Sequence, residues 1–278
     1  MTEDGMTNQS HLGFAPDRID TSRPHPARMY DYYLGGNDNY AVDREAAERL
    51  MEIAPDVRTS ARANRDFLGR AVRTVVREHG IRQIVDIGTG IPTSPNTHEL
   101  ARSVAPDVRV AYVDNDPIVS AHAGAKLVGA GNTEFVLADV REPETILEHQ
   151  AIRELIDFDR PVALLLVAVL HFVTDEEDPA RIVAALDAAL PAGSCLVLTH
   201  GTSDFHAREL VEEGTGVYEK ATASVTLRRH AEILRLFEGY DLLDPGLVQL
   251  PRWRPDGPAP EPDEPRRVAL YGGVGVKR

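Results

Sequence analysis

The stretch QIVDIGTGIPTSPNTHELAR, residues 83–102, determines the fold that the rest of the sequence fits. Its β-branched start, Ile84 to Ile87, predicts a strand, and Gly88-Thr89-Gly90 predicts a turn. The polar run from Ser94 to Asn96 then predicts the start of a helix. In open parallel sheets this order forms a site for nucleotide-like ligands, because glycines let the backbone approach and the helix N-terminus offers N–H donors.

The length and charge of the chain restrict its domain organisation and the class of partner that it can bind. The 278 residues, 42% of them hydrophobic and 27% charged, suit one large α/β domain with additions. Lys and Arg total 30 and Asp and Glu total 44, so the formal net charge is −14, and no long basic stripe is present. A nucleic-acid partner is therefore disfavoured.

Cysteine and histidine usage argues against a metal site. The single cysteine, Cys195, lies in the strand-like run SCLVLTH, where a buried small side chain is expected, and it cannot form an internal disulfide framework. The ten histidines are scattered, so no metal is predicted.

The N-terminus lacks a signal-like pattern and no apolar run is long enough to span a bilayer. These features predict a cytoplasmic protein without a membrane partner.

The N-terminal third divides into a loose lead-in, residues 1–22, and a helical cover segment, residues 23–80. Within RPHPARMYDYYLGGNDNYAVD, Pro24 and Pro26 are expected to exclude a helix around them, and Asp43 to cap the next one. The aromatic and amide side chains there form either a pinned surface segment or a cover over a substrate. The candidate substrate-pocket residues of this segment are Tyr30, Tyr32, Asn37 and Asn39, with Tyr33 assigned to the cofactor.

A second helix is predicted from Pro55-Asp56 to Gly80, because its apolar residues recur at steps of three and four. Its other face carries five arginines, which is typical of a solvated face. One of them near the glycine turn, Arg65, is the candidate to hold a ligand carboxylate.

Acidic residues end the next two predicted strands. Asp114 follows the strand that begins at Arg109, and a carboxylate at this place can accept from both hydroxyls of a ribose or can cap the following helix. Asp139 follows the third strand, Glu134 to Ala138, where it can accept from an adenine amino group or cap a helix. Both alternatives remain open at each position.

The run PVALLLVAVL, residues 161–170, predicts a central strand buried on both faces. His171 follows it at the ligand-binding edge, either as a catalytic base or as a hydrogen-bonded structural residue. After the fifth strand, Cys195 to Thr199, the polar segment 201–225 is either a lid insertion, with Tyr218 facing the substrate, or an ordinary connecting helix.

The glycine turn separates two classes of nucleotide-like ligand. A dinucleotide fingerprint requires G-x-G-x-x-G, but its third glycine is replaced by Thr93, which disfavours an NAD(P)-dependent oxidoreductase. The pattern D-x-G-x-G is met by Asp86, Gly88 and Gly90. The chain thereby resembles the S-adenosylmethionine (SAM)-dependent methyltransferases of the Rossmann-like class I.

The resemblance extends over nearly the whole chain from about Arg23. PARMYDYYLGGNDNYAVDREAAERL, VDIGTGIPTSPNTHELA, VAYVDNDPIV, ADVREPETIL, LLLVAVLHFVTDEEDP and LVQLPRWRPD resemble the actinobacterial-type S-adenosyl methyltransferase family, long carried as a domain of unknown function. The resemblance implies a Rossmann-like α/β domain, residues 81–278. Its mostly parallel seven-stranded sheet would have helices on both faces, an antiparallel last strand and an N-terminal helical extension.

The resemblance also implies the cofactor, SAM, and its contacts, residue by residue. The methionine part would contact Asp86, Gly88, Thr89 and Gly90, the ribose Asp114, and the adenine Asn115, Asp139 and Val140, while Ala168, Leu170 and His171 would line the methyl end. Pro92 departs from the class, since many members have a third glycine there, and a proline supplies no N–H.

The expected reaction is an in-line displacement at a methyl group, in which alignment and desolvation supply most of the rate. A base, for which His171 is the candidate, is needed only when the acceptor loses a proton. The stretch after the fourth strand, Val167 to His171, lacks the Asn/Asp-Pro-Pro-aromatic motif used on nucleobase or amide nitrogens, which favours an O- or other N-acceptor on a small molecule. The alternative is a non-catalytic SAM-binding sensor, because binding motifs do not prove turnover.

Overall fold

The computed structural model describes residues 20–126, 131–258, 260 and 267–278. The predicted lead-in up to residue 19, and much of the Pro-rich loop near residue 260, lie outside the described residues. The helices are α1 (Pro26–Leu34), α2 (Ala41–Ile53), α3 (Val57–Glu78), α4 (Thr97–Arg102), α5 (Pro117–Lys126), α6 (Pro143–Glu148), α7 (Gln150–Leu155), α8 (Pro179–Ala188), α9 (Arg208–Tyr218) and α10 (His230–Arg235). The strands are β1 (Gln83–Ile87), β2 (Arg109–Asp114), β3 (Thr133–Leu137), β4 (Ala163–Val167), β5 (Cys195–Gly201), β6 (Tyr240–Leu242), β7 (Val248–Gln249) and β8 (Leu270–Lys277).

The strands form one twisted sheet in the order β3-β2-β1-β4-β5-β8-β6, with β7 paired to β8. Strands β1 to β5 are parallel, and β8 runs antiparallel to β5, β6 and β7. The predicted architecture is confirmed. The sheet has eight strands instead of seven because the two-residue β7 also pairs with β8.

Helices cover both faces of the sheet. One core joins the sheet to α3, α4 and α5, and the other joins it to α6, α7, α8 and α10. The strand β4 is buried on both faces, as its continuous apolar sequence predicts. Within the described ranges, no helix combines the length and the apolar character that crossing a membrane requires.

The expectation that Pro24 and Pro26 exclude a helix was wrong. Pro26 is the first residue of α1, where its missing N–H would have no intrahelical partner and its fixed φ fits the helix. Asp43 is likewise not the cap of α2 but its third residue, with its carboxylate accepting from the backbone N–H groups of Tyr40 and His25. One carboxylate therefore fixes the starts of two helices.

Strand β8 requires glycine at two positions where side chains of neighbouring elements lie close to its backbone. A Cβ on Gly272 would lie 2.5 Å from a Leu250 methyl carbon, and one on Gly275 would lie 2.8 Å from Cβ of Tyr240. Side chains at these positions would push the flanking elements away from the sheet. The strand can therefore occupy the interior of the sheet only with these glycines.

Candidate functional site

A cavity of about 700 Å³ lies at the carboxyl ends of β1, β2 and β4, with α1, α3 and α9 above it. The volume is within the usual range for a site that encloses a small molecule. The helices α1, α2 and α9 also share a small core of their own, which includes Met29, Tyr33 and Leu50. The N-terminal cover and the insertion after β5 therefore line one cavity. Thirteen of the predicted site residues, including the candidate base His171, line its wall: Tyr30, Tyr33, Arg65, Asp86, Gly88, Thr89, Gly90, Asp114, Asn115, Val140, Ala168, His171 and Tyr218.

The glycine turn is held by backbone hydrogen bonds to β2. The N–H groups of Gly88 and Thr89 donate to Val113 O at 2.8 and 3.1 Å. Gly88 and Gly90 have φ of 74° and 67°, the left-handed region that favours glycine. A Cβ on Gly88 would lie 2.6 Å from a Val169 methyl carbon, whereas a Cβ on Gly90 would meet nothing within 4 Å. The turn thus exposes bare backbone to the cavity.

Asp86, at the end of β1, is a buried carboxylate. It accepts a 2.6 Å hydrogen bond from the Thr97 hydroxyl, and burial raises its pKa. The helix that follows, α4, starts only at Thr97, and its first turn is closed by a capping box between Asn96 and Glu99. Two of the N–H groups expected to be free at this helix start are therefore already used: Asn96 N–H donates to Glu99, and His98 N–H donates to the Tyr112 hydroxyl of β2.

Asp114, at the end of β2, is buried, and its hydrogen-bond partners among the described residues are backbone amides. Its Oδ2 accepts from the Gly90 N–H at 2.8 Å and its Oδ1 from the Asp116 N–H at 3.0 Å. Burial raises the pKa of Asp114 to about 7. Each oxygen keeps a lone pair, so the carboxylate can accept from ligand hydroxyl groups in the cavity.

Asp139, just after β3, holds two side chains of the cavity wall, Asn115 and Arg141. Asn115 donates from Nδ2 to Asp139 Oδ2 at 2.8 Å, and Arg141 donates to the same carboxylate, to Glu177 and to Phe172 O. Although burial opposes ionisation, hydrogen bonds from Arg141 and Asn115 leave the pKa of Asp139 lowered. Asn115 and Val140 line the cavity, whereas Asp139 lies one layer behind them.

A chain of hydrogen bonds, absent from the sequence-based expectations, joins the sheet to the cover. The Ala168 N–H donates to Thr199 Oγ1 at 2.8 Å, and Thr199 donates to Asn64 Oδ1 at 2.7 Å. Asn64 Nδ2 donates to the Tyr30 hydroxyl, which donates to Ala61 O, both at 3.0 Å. Ala168 has φ of 57°, an unusual conformation for a residue with a Cβ, and this chain holds it.

His171 lies at the cavity wall with its Nδ1 accepting from the Gly201 N–H at 3.3 Å. Burial, together with His200 and Arg228 nearby, holds the pKa of His171 well below its ordinary value. The position at the edge of the sheet agrees with the sequence-based expectation, but this environment opposes protonation.

A buried arginine, Arg28, links α1 to the end of β2. Its Nε lies 3.6 Å from Asp43 Oδ1 and 3.5 Å from Asp116 Oδ2, and Asp116 is also 3.2 Å from His25 Nδ1. The backbone N–H of Asp116 in turn donates a hydrogen bond to the Asp114 carboxylate. No periodicity in the sequence indicated this cluster, because its members come from separate elements.

Five predicted site residues are absent from the cavity wall. Tyr32 donates to Glu48 on the outer surface, and Asn39 donates to Asp31 and Gly36 O within its own loop, while Asn37 is exposed. Leu170 is fully buried beneath the site, and its carbonyl accepts from Arg228. The fifth is Asp139, which lies behind Asn115. Pro92, which departs from the class pattern, is also absent from the cavity wall.

Arg65 reaches the loop after the glycine turn. Its Nη2 donates to Thr93 O at 2.9 Å and to Pro95 O at 2.7 Å, and its charge acts on Asp86, whose pKa it lowers against the larger effect of burial. The side chain lines the cavity. Arg65 thus ties α3 to the loop that carries the glycines.

The fold and the glycine turn define a Rossmann-like methyltransferase class, and comparison with known proteins places the chain within it. The sequence profile described as S-adenosyl methyltransferase matches residues 13–278. The chain belongs to this family, and the resemblance drawn from the sequence is confirmed. No curated protein matches it.

Solved structures agree with the family. A DUF574 family protein from Streptomyces avermitilis MA-4680 is 44% identical with a TM-score of 0.89, over 94% of this chain and 100% of that one. A putative methyltransferase from Thermobifida fusca YX is 40% identical with a TM-score of 0.88, over 95% and 99%. A SAM-dependent methyltransferase from Anabaena variabilis ATCC 29413, 17% identical with a TM-score of 0.51 over 94% and 98%, shares the fold.

Proposed function

We propose that this methyltransferase binds SAM in the cavity and transfers its methyl group to a small-molecule acceptor. The observation that carries the proposal is the pairing of a bare glycine turn with the buried carboxylate of Asp114, which has amide donors but no ion pair among the described residues. Such a carboxylate can accept hydrogen bonds from two neighbouring hydroxyl groups, as on a ribose. SAM supplies an electrophilic methyl group on a sulfonium centre.

The chain's own residues have separate tasks in this proposal. Asp114 accepts from the ribose hydroxyls, Asn115 and Val140 contact the adenine, and Asp139 positions Asn115. Asp86 and the backbone of Gly88 to Gly90 contact the methionine part, with Arg65 holding the adjacent loop. Tyr32, Asn37, Asn39 and Leu170 have no direct contact in this arrangement.

The cover and the insertion enclose the acceptor. The helix α9 packs on α1 and α2, and Thr222 N–H donates to Pro24 O at 2.9 Å, so the two segments close one space. Residues 23–80 then act as a cover and residues 201–225 as a lid, with Tyr30 and Tyr218 toward the acceptor. Tyr33, expected from sequence to contact the cofactor, is assigned to the acceptor here because it neighbours Tyr218. Enclosure excludes water and holds acceptor and methyl group in line.

Calorimetry with S-adenosylhomocysteine (SAH), the demethylated product of the cofactor, tests the binding step. The wild-type protein should bind, and Asp114→Ala should weaken binding by at least about tenfold, since hydrogen bonds to a charged group are lost. Asp139→Ala is the matched control and should have a smaller effect, because Asp139 acts through Asn115. Tight binding unaffected by Asp114→Ala would refute the assignment of the site.

Transfer is tested separately from binding. Methyl-labelled SAM is incubated with the protein and a metabolite extract, and label should appear in a product other than the cofactor. Good SAH binding with no transfer across many extracts would favour the non-catalytic sensor instead.

A further inference from the structure

Aromatic rings form the acceptor side of the cavity. The Phe172 ring centroid lies 4.4 Å from that of His171 and 5.7 Å from that of Tyr218. Burial and the neighbouring Tyr218 raise the pKa of Tyr33, which completes this row. All four side chains line the cavity. A row of aromatic side chains with polar edges favours a flat aromatic ligand, because rings can pack against one another.

The hydrogen bonding of His171 fixes which ring nitrogen carries its proton. Nδ1 accepts from the Gly201 N–H, so Nδ1 carries no hydrogen. A neutral imidazole has one N–H, which must then be on Nε2. His171 therefore offers a donor through Nε2 and has no lone pair available there.

The residues behind His171 keep it neutral. The His200 ring centroid lies 5.6 Å from that of His171. His200 Nδ1–H donates to Gly201 O at 2.7 Å, and its Nε2 accepts from Arg228 Nη1 at 3.0 Å, so His200 is neutral as well. Burial lowers the pKa of His200 to about 4.

Arg228 is a fixed cation at this place. Its N–H groups donate to Asp175 at 2.6 and 3.1 Å, to Leu170 O, to Val173 O and to His200, so all five are used. A second positive charge on His171 or His200 would be repelled by this buried guanidinium. The network thus selects the Nε2–H form of His171.

A second donor lies along the same row of rings. The Tyr33 side chain is 3% exposed, and its hydroxyl makes no hydrogen bond of good geometry to the described residues, although the Tyr218 hydroxyl lies close enough to interact with it. An unmade bond at a buried hydroxyl is costly, so a ligand atom that accepts from it would be favoured.

We propose, on the basis of the proposed function, that the methyl acceptor is an aromatic molecule whose reacting oxygen is already anionic, and that His171 donates its Nε2–H to that oxygen. The oxygen uses a lone pair to bond the methyl carbon, while the carbon–sulfur bond breaks and its electron pair stays on sulfur. The negative charge on oxygen and the positive charge on sulfur cancel. No proton is released, so no base is required, and His171 acts as a donor and not as the base expected from sequence.

The protonation state of His171 is the first test, and it requires no acceptor. The full chain is labelled with ¹⁵N-histidine, and long-range ¹H–¹⁵N spectra are recorded with SAH from pH 5.5 to 8.5. The signal lost in His171→Gln identifies the residue. A neutral Nε2–H form throughout supports the proposal, and an Nδ1–H form or an imidazolium near neutral pH overturns it.

Probe binding is the second test, measured by calorimetry on the SAH-loaded protein. Benzoate and 4-nitrophenolate should each be compared with an uncharged counterpart, benzamide and 4-nitroanisole, and aniline serves as an amine probe. At least one anion should bind about tenfold or more tightly than its counterpart, and which anion does so separates carboxylate from phenolate acceptors. Preference for aniline or for the uncharged probes overturns the proposal.

Two variants separate a donor from a base. His171→Gln keeps an N–H donor but cannot take a proton, so it should bind the preferred anion within about threefold of wild type. His171→Leu should lose at least about tenfold. Equal losses in the two variants would overturn the donor role, with SAH affinity and the thermal midpoint checking that each is folded. If SAH fails to bind wild-type protein, the proposed function fails; if SAH binds and the probes show no preference, only this inference fails.

Discussion

The Thr199 hydroxyl donates to the Asn64 side-chain oxygen across 2.7 Å, and this bond joins β5 of the sheet to helix α3 of the N-terminal segment. The same hydroxyl accepts the Ala168 N–H at 2.8 Å. One side chain, fully buried, therefore positions the backbone at the end of β4 relative to the cover.

Replacing Thr199 by Val should destabilise the protein and disturb the site. The change leaves the Ala168 N–H and Asn64 Oδ1 unpaired, at a cost of about 1–3 kcal/mol for each group. Thr199→Ser keeps the hydroxyl and should retain most of the stability. Urea unfolding measures the difference. A loss in Thr199→Ser as large as that in Thr199→Val would mean that the methyl group contributes as much as the hydroxyl, and would contradict the prediction.

SAH affinity should rise with pH around neutrality. The pKa of Asp114 is raised to about 7 by burial, and ribose hydroxyls bind the ionised form, so protonation competes with binding. Affinity should therefore fall by about tenfold per pH unit below pH 7 and level off above it. Calorimetry between pH 5.5 and 8.5 measures this. Asp114→Asn should bind weakly at every pH, and a flat wild-type profile would contradict the prediction.

The two glycines of the turn should differ in their tolerance of alanine. Both variants place a Cβ at positive φ, at a cost of about 1–2 kcal/mol. Gly88→Ala also brings that Cβ to 2.6 Å from Val169, whereas Gly90→Ala meets open space. Gly88→Ala should therefore unfold at the lower urea concentration. The reverse order would mean that Val169 moves away without cost.

Arg28→Met should be strongly destabilising. The change leaves Asp43 and Asp116 buried without their cation, at a cost of about 3–5 kcal/mol. Arg49→Met is a matched control, because Arg49 pairs with Glu52 and Glu213 in solvent and should contribute less than about 1 kcal/mol. Comparable urea midpoints for the two variants would argue against an energetic role for the buried cluster.

The strands and the class of ligand could be predicted from sequence because both depend on local patterns. The β-branched run before Gly88 and the apolar run of β4 each bury both faces, which any parallel sheet requires. The Asp114 position followed from the strand end alone. Pro26 was misjudged because its effect depends on where in a helix it stands.

The site beyond the glycine turn could not be predicted, because it depends on contacts between distant residues. The tautomer of His171 is set by Gly201, and the role of Thr199 is set by Asn64. Tyr32 and Tyr33 are neighbours in α1, yet only Tyr33 lines the cavity, because Tyr32 lies on the outer side of the helix, where it donates to Glu48. Asn39 bonds to Asp31 within its own loop instead. Nothing in the local composition distinguishes these directions.

The position of β8 between β5 and β6 determines the order in which the molecule can assemble. A ribosome makes β6 and β7 before the strand that both of them pair with. Until β8 emerges, β5 presents an unpaired edge, which other chains can join. Leu270 of β8 also lines the cavity, so a strand synthesised after its partners β5, β6 and β7 both joins them and completes the wall of the site.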